Sequence, residues 1–256
     1  GSFYGLETLL LDQPYLPLLD RFVQDLVRPV AREVGWEPQA NEGHLGALRR
    51  SIVLGLAGAF RNPEVVAEAK ARFQRYLADP SSLRPDLRAV VIGIAGQEGD
   101  RATYDRLWDL AVKAELQEEK LRFLRALGRF DAPDLLQLTL ERALSEHIRS
   151  QDSVSVIGAV AGNRRGRDLA WDFVRENWAE LDRRYGRGGY AITSLVAFTS
   201  GFTTSQRACE VAAFFRDHPV PSAQRAVQQA LERIALNVAW LERNREPLGV
   251  WFDRRR

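Results

Sequence analysis

Apolar residues recur at three- and four-residue intervals along most of this 256-residue chain, and that spacing confines it to helices. Val66, Ala69, Phe73 and Leu77 form one such stripe, and Tyr104, Leu107, Trp108 and Ala111 another. Ala132, Leu136, Leu140 and Ala143 follow, then Ala170, Phe173, Val174 and Trp178. Ala208, Val211, Ala212 and Phe215 continue the series, and Val227, Ala230, Leu231, Ile234, Val238 and Leu241 close it. Each set lays an apolar strip along one helix face. No extended stretch alternates with a period of two, so no strand is predicted.

Helix starts agree with the stripes. Asn62-Pro63 places an N-cap before a proline in the first helical position. Asp131-Ala132-Pro133-Asp134 repeats the device and adds an acid that favours the positive helix end. Asp100 and Ser222 are further candidate caps, and Gln151-Asp152 reads as an N-cap for a helix from about Ser153. Breakers stand between stripes at Pro80, Pro85, Gly96, Gly128, Gly186-Arg187-Gly188-Gly189 and His218-Pro219. The glycine cluster has no strand before it and reads as a flexible connection between helices.

Predicted starts at 62, 100, 131, 166 and 203 recur every roughly 35 residues, with room for a second helix in each interval. The predicted fold is therefore all-α: an α-α superhelix, or solenoid, of helix pairs of the HEAT or armadillo kind. Gly1-Ser2 reads as a cloning scar, and residues 3–256 as a single α-helical repeat domain. Phe3, Leu6, Leu9 and Leu10 look like one half of a helix pair whose other half lies outside the chain, as in the distal part of a larger domain.

Composition narrows the function classes. With 45% hydrophobic and 27% charged residues the chain can build a core, and no run of about 18 apolar residues offers a membrane span. Only Lys70, Lys113 and Lys120 are lysines, so 36 − 3 = 33 basic residues are arginine, a bias that suits a GC-rich bacterial genome. The net charge is only +2, and acids are interspersed with the arginines, which argues against a nucleic-acid partner. The single cysteine, Cys209, reads as an ordinary packed thiol and fits a reducing, cytoplasmic setting.

Catalytic motifs are missing from the sequence. No His-Glu-x-x-His pair is present, and His44, His147 and His218 lack ligand spacing. No Gly-x-Ser-x-Gly elbow or phosphate loop occurs. The aromatic-dense segment from Gly166 to Trp178 reads as core, with Asn177 requiring a hydrogen-bond partner such as a neighbouring loop.

That segment, Gly166-Arg167-x-x-Ala170-Trp171-x-Phe173-x-x-x-Asn177-Trp178, resembles the C-terminal helical domain of aminopeptidase-N-type zinc aminopeptidases. Glu42-Gly43-His44-Leu45, Leu48-Arg49, Asp86-Leu87-Arg88, Gln117-Glu118-Glu119-Lys120 and Gln151-Asp152 with Val154 to Gly158 add matches closest to the puromycin-sensitive type. Phe214-Phe215, His218-Pro219 and Asn237 with Ala239-Trp240-Leu241 complete an ordered series from about Phe3 to Trp251. The resemblance implies a parent zinc metallopeptidase whose metal lies in another domain. It gives this chain no catalytic residue, metal or cofactor of its own, and makes it a domain that caps the active-site chamber and helps bind or size-select peptides. Its partners would be the catalytic domain of the same polypeptide and the peptide substrate.

In antigen-trimming relatives a basic residue after the corresponding helix holds the substrate's C-terminal carboxylate, which by position maps onto Arg129. The alternative for Arg129 is a surface arginine paired with Asp131 or Asp134. A free-standing helical-repeat adaptor, binding a protein or peptide in a concave groove, is the alternative for the whole chain.

Overall fold

The computed structural model describes residues 2–39 and 42–255, with Ala40 and Asn41 and both chain ends outside the description, so Gly1 of the pair read as a cloning scar lies outside the described residues. The described residues form fourteen α-helices with three short 3-10 turns, and no strand. The all-α class follows directly from the stripes. The helices are α1 (Ser2–Leu10), α2 (Leu16–Val34), α3 (His44–Ala59), α4 (Pro63–Ala78), α5 (Pro85–Gln97), α6 (Arg101–Lys113) and α7 (Gln117–Leu127). They continue as α8 (Pro133–Ala143), α9 (Ser150–Ala161), α10 (Arg167–Glu176), α11 (Trp178–Tyr185), α12 (Tyr190–Ala197), α13 (Ser205–Asp217) and α14 (Gln224–Asp253). They fall into two compact units, one of residues 17–131 and one joining the first 16 residues to the chain from 132 onward.

In the 17–131 unit, the helices from α3 onward pack on a successor or on the next but one: α3 on α5, α5 on α7, α4 on α5 and α6 on α7. Small residues let α5 approach its neighbours closely. A Cβ at Gly96 would stand 2.6 Å from the carbonyl oxygen of Ala126 in α7, so only glycine fits there. Leu87, Val91, Ile92, Tyr104, Leu107, Leu127 and Phe130 fill the core, and the rings of Tyr104 and Phe130 meet edge to face at 5.2 Å.

Local capping chemistry sets two starts where the sequence put them. Asn62 Oδ1 accepts from the N–H groups of Glu64 and Val65, and Asp100 Oδ1 accepts from Thr103 N–H. In α4 the buried face runs through Val65, Ala69, Phe73 and Tyr76, one residue away at each end from the predicted Val66 and Leu77. Arg50 is buried at the back of α3, where it pairs with Glu42 and donates to the Val34 carbonyl.

The second unit packs α9 against α8, α10 and α12, and α14 against α12 and α13. Trp171 is fully buried among Phe198, Phe202, Phe214 and Phe215, with centroids 5.2–6.5 Å away. A Cβ on Gly166 would collide with the Val160 carbonyl oxygen, so glycine is required before α10. Arg167, only 7% exposed, donates to the Gly201 carbonyl and to Asp12 and lies over the Phe202 ring. The motif that carries the resemblance is thus structural cement. Tyr15 donates to the Arg245 carbonyl and stacks on Phe252, which ties the first residues to α14.

Several sequence expectations need correction. Asp131 caps no helix: Ala132 precedes α8, and the Asp131 carboxylate is taken by Arg61. Ser222 donates to the Gly186 carbonyl instead of capping α14, whose N-cap is Ala223. The helix expected from Ser153 begins at Ser150 after an Arg149 that makes no side-chain cap, leaving Asp152 buried in its first turn. Asn177 donates to Phe173 O within its own helix turn, not to a loop. Cys209 is exposed, because the buried face of α13 is set by Val211 and Phe215, and a residue two positions from Val211 points away from it. Ala212, placed in the same stripe, is exposed as well. Gly188 and Gly189 adopt φ +113° and +101° in the α11–α12 connection, which accounts for glycine at both places.

Candidate functional site

Arg129 stands just past α7, between two fixed points. Gly128 closes the helix, Phe130 is wholly buried against Tyr104, and Arg129 N–H donates to the Ala126 carbonyl. The backbone is held, and the side chain is exposed. It runs across α5 at Gly93, where a built Cβ would lie 2.9 Å from Nη1 and 3.3 Å from Cζ. Gly93 is buried under this arginine. The guanidinium forms no ion pair or hydrogen bond with another side chain among the described residues, so the Asp131 or Asp134 pairing weighed from the sequence is not made.

The turn beside it is charged and fixed. Arg61 sits at φ +59°, the left-handed position that ends α3, with Arg61 N–H on Gly58 O and Asn62 N–H on Ala57 O, both 2.9 Å. Its side chain donates to Glu98 at 2.9 Å and to Asp131 at 2.5 Å. Gln24 Nε2 donates to the Phe60 carbonyl from α2, and Gln97 Nε2 to the Gly58 carbonyl. The ends of α3, α5 and α7 are therefore tied together by Arg61 and the Gln97 amide, and Gln24 adds α2 to the end of α3. Asp100, on the same α5–α6 turn, is held below the ordinary carboxylate range by the Thr103 N–H and hydroxyl. Asp131 is taken by Arg61, so the Arg129 fork has no acidic partner among the described residues, and a carboxylate would match that fork in geometry and charge. Neither the Arg61 clamp nor the Gly93 bed was found from the sequence; the one trace of them is the glycine pair at 93 and 96 beside Val90, Val91, Ile92 and Ile94.

No group of three His, Cys, Asp or Glu among the described residues is placed to hold a metal ion. His218 sits on the Phe214 ring with Nδ1 3.0 Å from the Phe214 carbonyl.

Comparison with known proteins decides the family. The ERAP1-like C-terminal domain matches residues 2–236. The chain belongs to that family. Aminopeptidase M1 of Arabidopsis thaliana is 31% identical over 217 residues, which cover 83% of this chain and 24% of the relative. Glutamyl aminopeptidase of Bos taurus is 28% identical over 94% of this chain and 25% of the relative. Aminopeptidase 2 of Candida albicans is 26% identical over 94% and 26%. The chain thus spans about a quarter of the length of the curated relatives it matches. It corresponds to the C-terminal domain of an aminopeptidase.

Proposed function

We propose that this domain acts without catalysing: it covers the peptidase chamber of a longer polypeptide and uses Arg129 to hold the C-terminal carboxylate of the peptide being trimmed. The observation that carries the reading is an exposed guanidinium with no side-chain partner among the described residues, bedded on Gly93, in a chain that belongs to an aminopeptidase C-terminal family. The catalytic zinc belongs to the remaining part of the polypeptide. Among the described residues no three His, Cys, Asp or Glu side chains are grouped as ligands to such an ion would be. The two compact units act as one helical-repeat domain of the HEAT-like kind, a reading supported by a single family match running through both.

Peptide rather than nucleic acid suits the charge distribution. Arginines such as Arg61, Arg88, Arg167 and Arg207 are engaged by Asp and Glu, and the net charge of the chain is only +2. Among the described residues no helix is long and apolar enough to cross a membrane. A bacterial, cytoplasmic setting is supported by the arginine bias and by an exposed free thiol, which a reducing compartment tolerates.

The test uses the longer enzyme and two versions of one peptide, with a free or an amidated C-terminus. R129A should lower kcat/KM for the free acid about tenfold, the low end of what a charge-assisted hydrogen bond contributes. The amide should be unaffected. Equal losses for both peptides would refute a carboxylate-holding role.

A further inference from the structure

The outward side of α3 carries an apolar strip in which the one charge, Arg49, is paired with Glu33. Leu45, Leu48 and Ile52 are 78%, 46% and 60% exposed, and their spacing places them on one strip of the helix. The opposite side carries Leu54, Ala57 and Gly58 into the core, so α3 is apolar on two faces. Its charges do not serve the strip: Arg50 is buried with Glu42, and Arg49 pairs with Glu33 at 2.9 Å. A helix apolar nearly all round belongs inside a protein. Compare α4 and α6, which put Lys70, Arg75, Arg101 and Asp105 on their outward sides.

We infer that the Leu45–Leu48–Ile52 strip is the seat on which the rest of the aminopeptidase polypeptide packs. This rests on the proposed function. The occupant follows from length: the chain accounts for about a quarter of its relatives, so about three quarters of such a polypeptide remains to cover the strip. Three adjacent branched side chains in a row, with no unpaired charge between them, are the kind of apolar anchor that dominates an interface core. A second copy of this chain and a foreign partner are the competing occupants.

The experiment is thiol accessibility. L48C and I52C are each made in a Cys209→Ser background, both in the 256-residue chain and in the longer polypeptide, and maleimide labelling rates are measured. Unchanged melting confirms folding, and the two positions guard against a single damaging substitution. Both thiols should label fast in the 256-residue chain at every protein concentration and about tenfold slower or more in the longer polypeptide, as burial behind a closed interface requires. Rates within about twofold in the two proteins would overturn the inference. Labelling of the short chain that slows as its concentration rises would also overturn it, by assigning the strip to self-association. Aminopeptidase activity measured on the same longer polypeptide separates the two readings: fast labelling with activity sinks the docking seat alone, whereas slow labelling without activity sinks the peptidase reading and leaves the seat standing.

Discussion

The guanidinium of Arg129 lies on the backbone of Gly93, so closely that no side chain fits beneath it. Two glycines one turn apart then predict opposite outcomes. G93A meets the far end of a flexible side chain, so Arg129 swings off α5, the fold stays intact, and preference for peptides with a free C-terminal carboxylate falls in the longer enzyme. G96A meets the Ala126 carbonyl at 2.6 Å, which cannot yield, and should cost about 1–3 kcal/mol of stability. Urea unfolding of both variants checks this. Equal destabilisation would show that Arg129 is fixed in place and not merely resting.

Arg61 combines an unfavourable backbone with favourable charge pairing. R61A keeps the left-handed strain of φ +59° and loses the links to Glu98 and Asp131. It should destabilise the chain by about 1–2 kcal/mol, given modest values for partly exposed pairs. R61G loses the same pairs but relieves the strain, and should recover about 1 kcal/mol of that. Chemical denaturation of the three proteins decides; R61A as stable as R61G would mean that the backbone carries no strain there.

Glu180 supplies a pH prediction. Hydrogen bonds from Arg183 and then Arg184 pull its carboxyl down to about 2 from an ordinary 4.5. A depressed folded-state value means that ionised Glu180 stabilises the fold above about 4.5, and that this contribution fades as pH falls towards 2. E180Q should therefore melt lower than the parent chain at neutral pH, with the gap closing across that window. A constant gap down to pH 2 would place the effect in packing instead.

How far the sequence reached depended on range. Starts after Asn62 and Asp100 were legible because each cap closes on an N–H two or three residues away. Asp131 presented the same local signature and does something else, since its carboxylate answers Arg61 from across the unit. The exposure of Cys209 could have been seen: Val211 and Phe215 already defined the inner face, and Ala208 and Ala212 were too small to settle it. The α9 start was hidden because Ser150 begins the helix without a side-chain cap. At the site, Arg129 was named by resemblance, but its bed on Gly93 joins two helices, and no local rule reports such a contact.

The reading of this chain as the supporting part of a peptidase meets its sharpest test in the purified 256-residue protein, supplied with zinc and a chromogenic aminoacyl substrate. The account predicts release no faster than in buffer, with or without a chelator. Turnover that zinc supports and the chelator abolishes would contradict it.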